Sequence, residues 1–134
     1  MIMGIDIRKK LSSKWPAIGW TLMIFILLTV RTGSFERVPL FGVPHLDKFV
    51  HIILFGTLVF LWWAYVDGMS KEVSTIKVLL IIFLAASLFG IGMEFYQEHF
   101  TSREFELEDI YADIAGAALS SFFCSYLKNK PLWK

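Results

Sequence analysis

The chain has 134 residues, of which 56% are hydrophobic and 16% aromatic, and its formal net charge is +1. A soluble domain carries about 45–50% apolar residues, and here the excess is gathered into runs, which marks a membrane protein rather than a large core. A charge so near zero gives no global attraction for nucleic acid, and a single cysteine excludes an internal disulfide and a zinc knuckle.

The chain opens on a basic arm, residues 1–14, with Arg8, Lys9, Lys10 and Lys14. A first helix is expected over about 15–31. Its apolar run is short for a span, which needs about 20 residues, so its ends extend into the flanks. Basic residues before an apolar run also fit a signal peptide, but no A-x-A-like cleavage site follows. Pro39, Gly42 and Pro44 make residues 32–46 an irregular outer loop. A second helix is expected over 47–66, with Trp62, Trp63 and Tyr65 as an interfacial belt at its end. A polar turn from Asp67 to Thr75 leads to the third and strongest helix, 76–97. A hydrophilic outer loop, 98–108, leads to the fourth, 109–127, and a basic tail, 128–134, follows. Cys124 reads as a small hydrophobe facing lipid or another helix.

The expected fold is all-α, a single domain of four transmembrane helices. Nine lysines and arginines fall on the side of the termini and of the turn between the second and third helices, against four on the other side. Positive loops stay inside, so both termini are expected to be cytoplasmic and both outer loops extracytoplasmic.

That arrangement brings polar residues to one end. Asp47 and His51 are four apart on the second helix. Ser87, Gly90, Glu94 and Gln97 make one stripe of the third, and Asp109, Asp113, Gly116 and Ser120 one stripe of the fourth. Gly90, Gly116 and Ser120 are small enough to let helices approach closely, so both stripes should face the bundle interior. His51, Glu94 and Asp113 lie about one turn, roughly 5 Å, inside the outer ends. Asp47, Gln97 and Asp109 form a shallower layer. Arg103 is the expected partner, since a guanidinium can bridge two carboxylates, and Lys48 adds a second cation. Ionisable groups cost about 2.5–3.5 kcal/mol each at mid-helix on insertion scales, so their clustering points to function.

Several tasks fit. The carboxylates could simply pair with Arg103, Lys48 and His51 and staple helix ends, and Asp109 could cap its helix. His51 with carboxylates could hold a metal, but no dense ligand motif is present and no metal is assigned. A carboxylate could act as acid or base, though no nucleophile stands beside a base. The cluster could instead recognise a polar headgroup or relay protons or ions.

The ordered set Asp47-Lys48-Phe49-Val50-His51, Glu94-Phe95-Tyr96-Gln97, Arg103 to Asp109, and Asp113-Ile114-Ala115-Gly116-Ala117 resembles the VanZ-like family. Its members carry a D-K-x-x-H opening, an E-x-x-Q helix end, an R-x-x-x-x-x-D loop and an N-x-x-G-A helix. The resemblance spans about two-thirds of the chain. It implies a small multi-pass protein of the bacterial cytoplasmic membrane, associated with teicoplanin resistance and cell-envelope homeostasis. Asp47, Lys48, His51, Glu94, Gln97, Arg103, Asp109 and Gly116 match the family pattern, whereas Asp113 stands where the family usually has asparagine; the candidate functional cluster is Asp47, Lys48, His51, Glu94, Gln97, Arg103, Asp109 and Asp113. The expected partners are the lipid bilayer and a cell-wall or lipid-headgroup ligand, with no nucleic acid. Cofactors and catalytic residues stay unassigned. The rival expectation is a membrane-embedded enzyme acting on a lipid-linked substrate.

Overall fold

The four apolar runs become four helices. In the computed structural model, which describes residues 8–30, 45–69, 73–101 and 103–133, α1 spans Lys14–Thr29, α2 Leu46–Met69, α3 Thr75–Phe100 and α4 Leu107–Lys128. A 3-10 turn, Pro131–Trp133, follows. Most of the expected loop 32–46 and half of the arm 1–14 lie outside the described residues.

The fold is all-helical. By length and composition α2, α3 and α4 can each cross a membrane. At about 1.5 Å per residue, the 16 residues of α1 reach about 24 Å, short of a hydrocarbon core of about 30 Å.

Two helices outrun the sequence expectation. The polar turn expected from Asp67 does not start there, because α2 continues to Met69. Asp67 is 8% exposed and its charge is met. Lys128 and Arg8 pair with it, and Trp133 Nε1 donates to it at 2.9 Å. A helix can therefore carry that carboxylate into its last turn. Likewise α3 runs on to Phe100 instead of ending at Gln97, and Thr101 closes it by donating its backbone N–H to the Gln97 carbonyl.

Contacts at the two ends fix the directions. Lys48 at the start of α2 meets Asp109 at the start of α4, so these two helices run parallel. Gln97 near the end of α3 donates to the carbonyl of Leu28 near the end of α1, so those two run parallel as well. The two pairs run in opposite senses. Asp67, with Arg8 and Lys128, marks the other end of the bundle.

The closest approach is between α2 and α4, and glycines make it. A Cβ on Gly116 would stand 2.9 Å from Ile52 Cα and closer still to its carbonyl oxygen. One on Gly56 would lie 3.3 Å from the Gly116 carbonyl oxygen. Helices in lipid gain little from apolar burial against each other, so small residues that let backbones meet carry the packing. Around this seam Ile24, Phe55, Leu58, Val59, Met93 and Ala117 form the main core. Two indoles dock α1 on α2: Trp20 Nε1 donates to the Leu54 carbonyl at 2.9 Å and Trp62 Nε1 to Thr21 Oγ1 at 3.1 Å. A second core surrounds Trp63, which is fully buried and stacked on Trp133 at 4.8 Å between ring centroids. Trp63 is therefore not part of an interfacial belt, because the 3-10 turn folds back over it.

Candidate functional site

The polar residues gather where α2 begins, α3 ends and α4 begins. His51, Glu94, Gln97, Asp109 and Asp113 are all buried there. Helical spacing explains the convergence: each stands three or four residues from a polar neighbour on its own helix, and glycines open the faces that meet.

His51 sits between two carboxylates. Its Nδ1 lies 2.8 Å from Asp113 Oδ1, and its Nε2 lies 3.5 Å from Asp109 Oδ2. An imidazole can donate to both only when it carries two protons. Asp109 also receives Lys48 Nζ at 2.6 Å and Arg103 at 3.5 Å. It is 1% exposed, and three positive or donor-bearing groups converge on it.

Lys48, not Arg103, is the cation that bridges. Its ammonium reaches Asp47 at 2.7 Å, Asp109 at 2.6 Å and also Glu106. The sequence favoured Arg103 for its planar fork, but Lys48 lies on the same helix turn as Asp47 and faces the start of α4. Arg103 pairs with Asp109 only at 3.5 Å.

Helix capping also differs from expectation. Asp109 does not cap α4, whose N-cap is Glu106, and the Glu106 side chain makes no capping bond to the helix. Glu94, which lies too deep to cap its own helix, accepts the backbone N–H of Glu106 at 3.1 Å. It thereby ties the end of α3 to the start of α4. Gln97 turns away from the cluster and donates to the Leu28 carbonyl at 2.7 Å. Asp47 stays at the rim, with 42% of its side chain exposed.

Two atoms stand out. Glu94 Oε1 and Asp113 Oδ2 are buried, and neither has a hydrogen-bond partner among the described residues. Gly90 makes the room for the second: a Cβ there would fall 2.5 Å from Asp113 Oδ2. The small-residue stripe predicted to pack helices thus also shelters a carboxyl group. Gly116 and Ser120 face α2, and Ser120 Oγ lies 3.9 Å from the buried Cys124 Sγ.

Among the described residues, Asp47, Glu106 and Asp109 come close enough to share a metal ion. The Lys48 ammonium stands among them, so a metal would have to displace it.

Sequence reasoning missed the other polar centre. Asp67 collects Arg8, Lys128 and Trp133, and the Arg8 guanidinium also lies 5.6 Å from the centre of the Trp133 ring. A lone aspartate before a glycine reads as a turn. Only the separate basic residues at 8 and 128 hinted at a partner.

The geometry defines an all-helical chain with three helices long and apolar enough to cross a membrane and a buried charge network around His51 and Asp109. No family model and no solved structure matches it. Among curated proteins it is similar to an uncharacterized protein of the fission yeast Schizosaccharomyces pombe, 36% identical over 101 residues. The match takes in 74% of this chain and 59% of the relative, so the chain spans about three-fifths of the relative's length.

Proposed function

We propose that this chain is a VanZ-like integral membrane protein of four spans, with both termini cytoplasmic. Its polar cluster faces the extracytoplasmic side and binds a polar component of the outer leaflet or cell wall. One observation carries the reading: the buried cluster of His51, Glu94, Asp109 and Asp113 leaves two carboxylate oxygens without donors among the described residues. A unit that only stapled helices would gain by satisfying every buried group, since each orphan costs about 1–3 kcal/mol. A site built to receive donors keeps such oxygens open.

The motifs that resemble the VanZ-like family support a task in the envelope of a bacterial cytoplasmic membrane, with glycopeptide susceptibility as its readout. A relative in a fission yeast favours a ligand found beyond bacterial walls, which a lipid headgroup satisfies better than a wall glycopeptide. The test is teicoplanin susceptibility in bacterial cells expressing wild type, Glu94→Gln or His51→Ala at matched membrane levels. A shift with wild type that both variants lose is the expected result. An equal shift with all three would reject the cluster as the functional site.

A second reading is a membrane-embedded enzyme on a lipid-linked substrate. The Asp113–His51 pair at 2.8 Å favours it, because a carboxylate that orients an imidazole is the usual support of a general base. Turnover of a lipid-linked substrate by purified protein, lost in His51→Ala, would decide for it.

A further inference from the structure

Resting on that reading of the polar end, we infer that the ligand presents a primary ammonium group, held by Glu94 and Asp113 in the seam between α3 and α4. Each of these residues is 1% exposed. Each has one oxygen engaged within the protein: Glu94 Oε2 takes the Glu106 N–H, and Asp113 Oδ1 faces His51. The second oxygen of each has no donor among the described residues.

Both open oxygens belong to residues of the α3–α4 contact. Asp113 Oδ2 lies against α3 at Gly90, 2.5 Å from where a Cβ would stand, and Glu94 is the next turn of that helix. From there Glu94 reaches the start of α4.

Charge selects the sign of the ligand. Asp47, Glu94, Glu106, Asp109 and Asp113 face Lys48, Arg103 and the His51 ring. Both lysine and arginine are already paired with carboxylates, so an anion would add to an excess of negative charge. A cation relieves that excess.

The chain itself indicates which cation. Where three carboxylates approach closely enough for a metal, an alkylammonium occupies the place: Lys48 Nζ, 2.7 Å from Asp47 and 2.6 Å from Asp109. The seam offers two open oxygens, fewer than the four or more ligands that zinc or calcium takes. An ammonium has three N–H donors, enough for two open oxygens. A free amine and the headgroup of an ethanolamine lipid share this chemistry.

The test uses the full chain in nanodiscs of phosphatidylcholine, followed by thermal unfolding. Methylammonium and ethanolamine should raise the unfolding temperature saturably, and tetramethylammonium, which has the same charge and no N–H, should not. Glu94→Gln and Asp113→Asn should each weaken the response at least tenfold in midpoint concentration. Replacing phosphatidylcholine by phosphatidylethanolamine should stabilise wild type in the lipid case and leave it unchanged in the free-amine case. Equal stabilisation by tetramethylammonium, stabilisation by zinc or manganese alone, or no response to any amine would each overturn the inference. If amines fail while Glu94→Gln still abolishes the cellular shift, the ammonium chemistry falls and the polar-site reading stands. If that variant keeps the shift, the polar-site reading falls too.

Discussion

His51 holds two carboxylates apart by standing between them, and this sets what its removal does. His51→Ala leaves Asp109 and Asp113 facing each other across a cavity, at a cost of about 3–5 kcal/mol by analogy with breaking buried pairs. Denaturant unfolding in detergent would measure it, and a cost under about 1 kcal/mol would show that the ring is not structural. Asp113→Asn should be far milder than Glu94→Ala. An asparagine keeps the oxygen that faces His51 and brings two N–H donors, whereas the alanine strips the Glu106 N–H of its acceptor. Gly90 gives a sharper contrast. Gly90→Ala drives a methyl group into Asp113 and should cost about 1–3 kcal/mol, while Gly92→Ala, with nothing within 4 Å among the described residues, should be neutral or slightly stabilising. Much of the cluster was legible in the sequence because its members repeat at helical spacing. The bridging role of Lys48 and the outward turn of Gln97 were not, because they depend on the rotation of α2 and on where α1 ends, which no spacing encodes.

The parallel packing of α2 on α4 rests on Gly56 and Gly116. Gly116→Ala should splay the pair, since its methyl group would meet the Ile52 backbone rather than a yielding side chain. A loss of about 1–3 kcal/mol is expected, with weakened Lys48–Asp109 pairing as a consequence. Intact stability in that variant would mean the helices can slide without penalty. The existence of the helices was plain from the apolar runs. Their ends were less so, since Asp67, Glu98 and His99 look like loop residues until Asp67 is seen to be paired and the last turn of α3 is seen to continue to Phe100. Gly116 could be picked out on its stripe, whereas Gly56, among large apolar residues, carried no such signal.

Seen as a whole, the molecule has a charged network at each end and an apolar middle. The proposed topology puts the loop before α4 outside and the turn before α3 inside. A cysteine replacing Glu104 should therefore react with an impermeant thiol reagent in intact cells, and one replacing Val73 only after permeabilisation; both positions are exposed and the native Cys124 is buried. The reverse pattern would invert the bundle. The network at Asp67 bears on how the chain is made. Its partners Arg8, Lys128 and Trp133 lie 59, 61 and 66 positions away in sequence. During synthesis Asp67 emerges with only Arg8 at hand, and Lys128 and Trp133 arrive after all of α3 and α4. Until then Asp67 lacks Lys128, and Trp63 lacks the ring that stacks on it. The Asp67 end of the bundle is thus the last to close, when the C-terminal residues arrive.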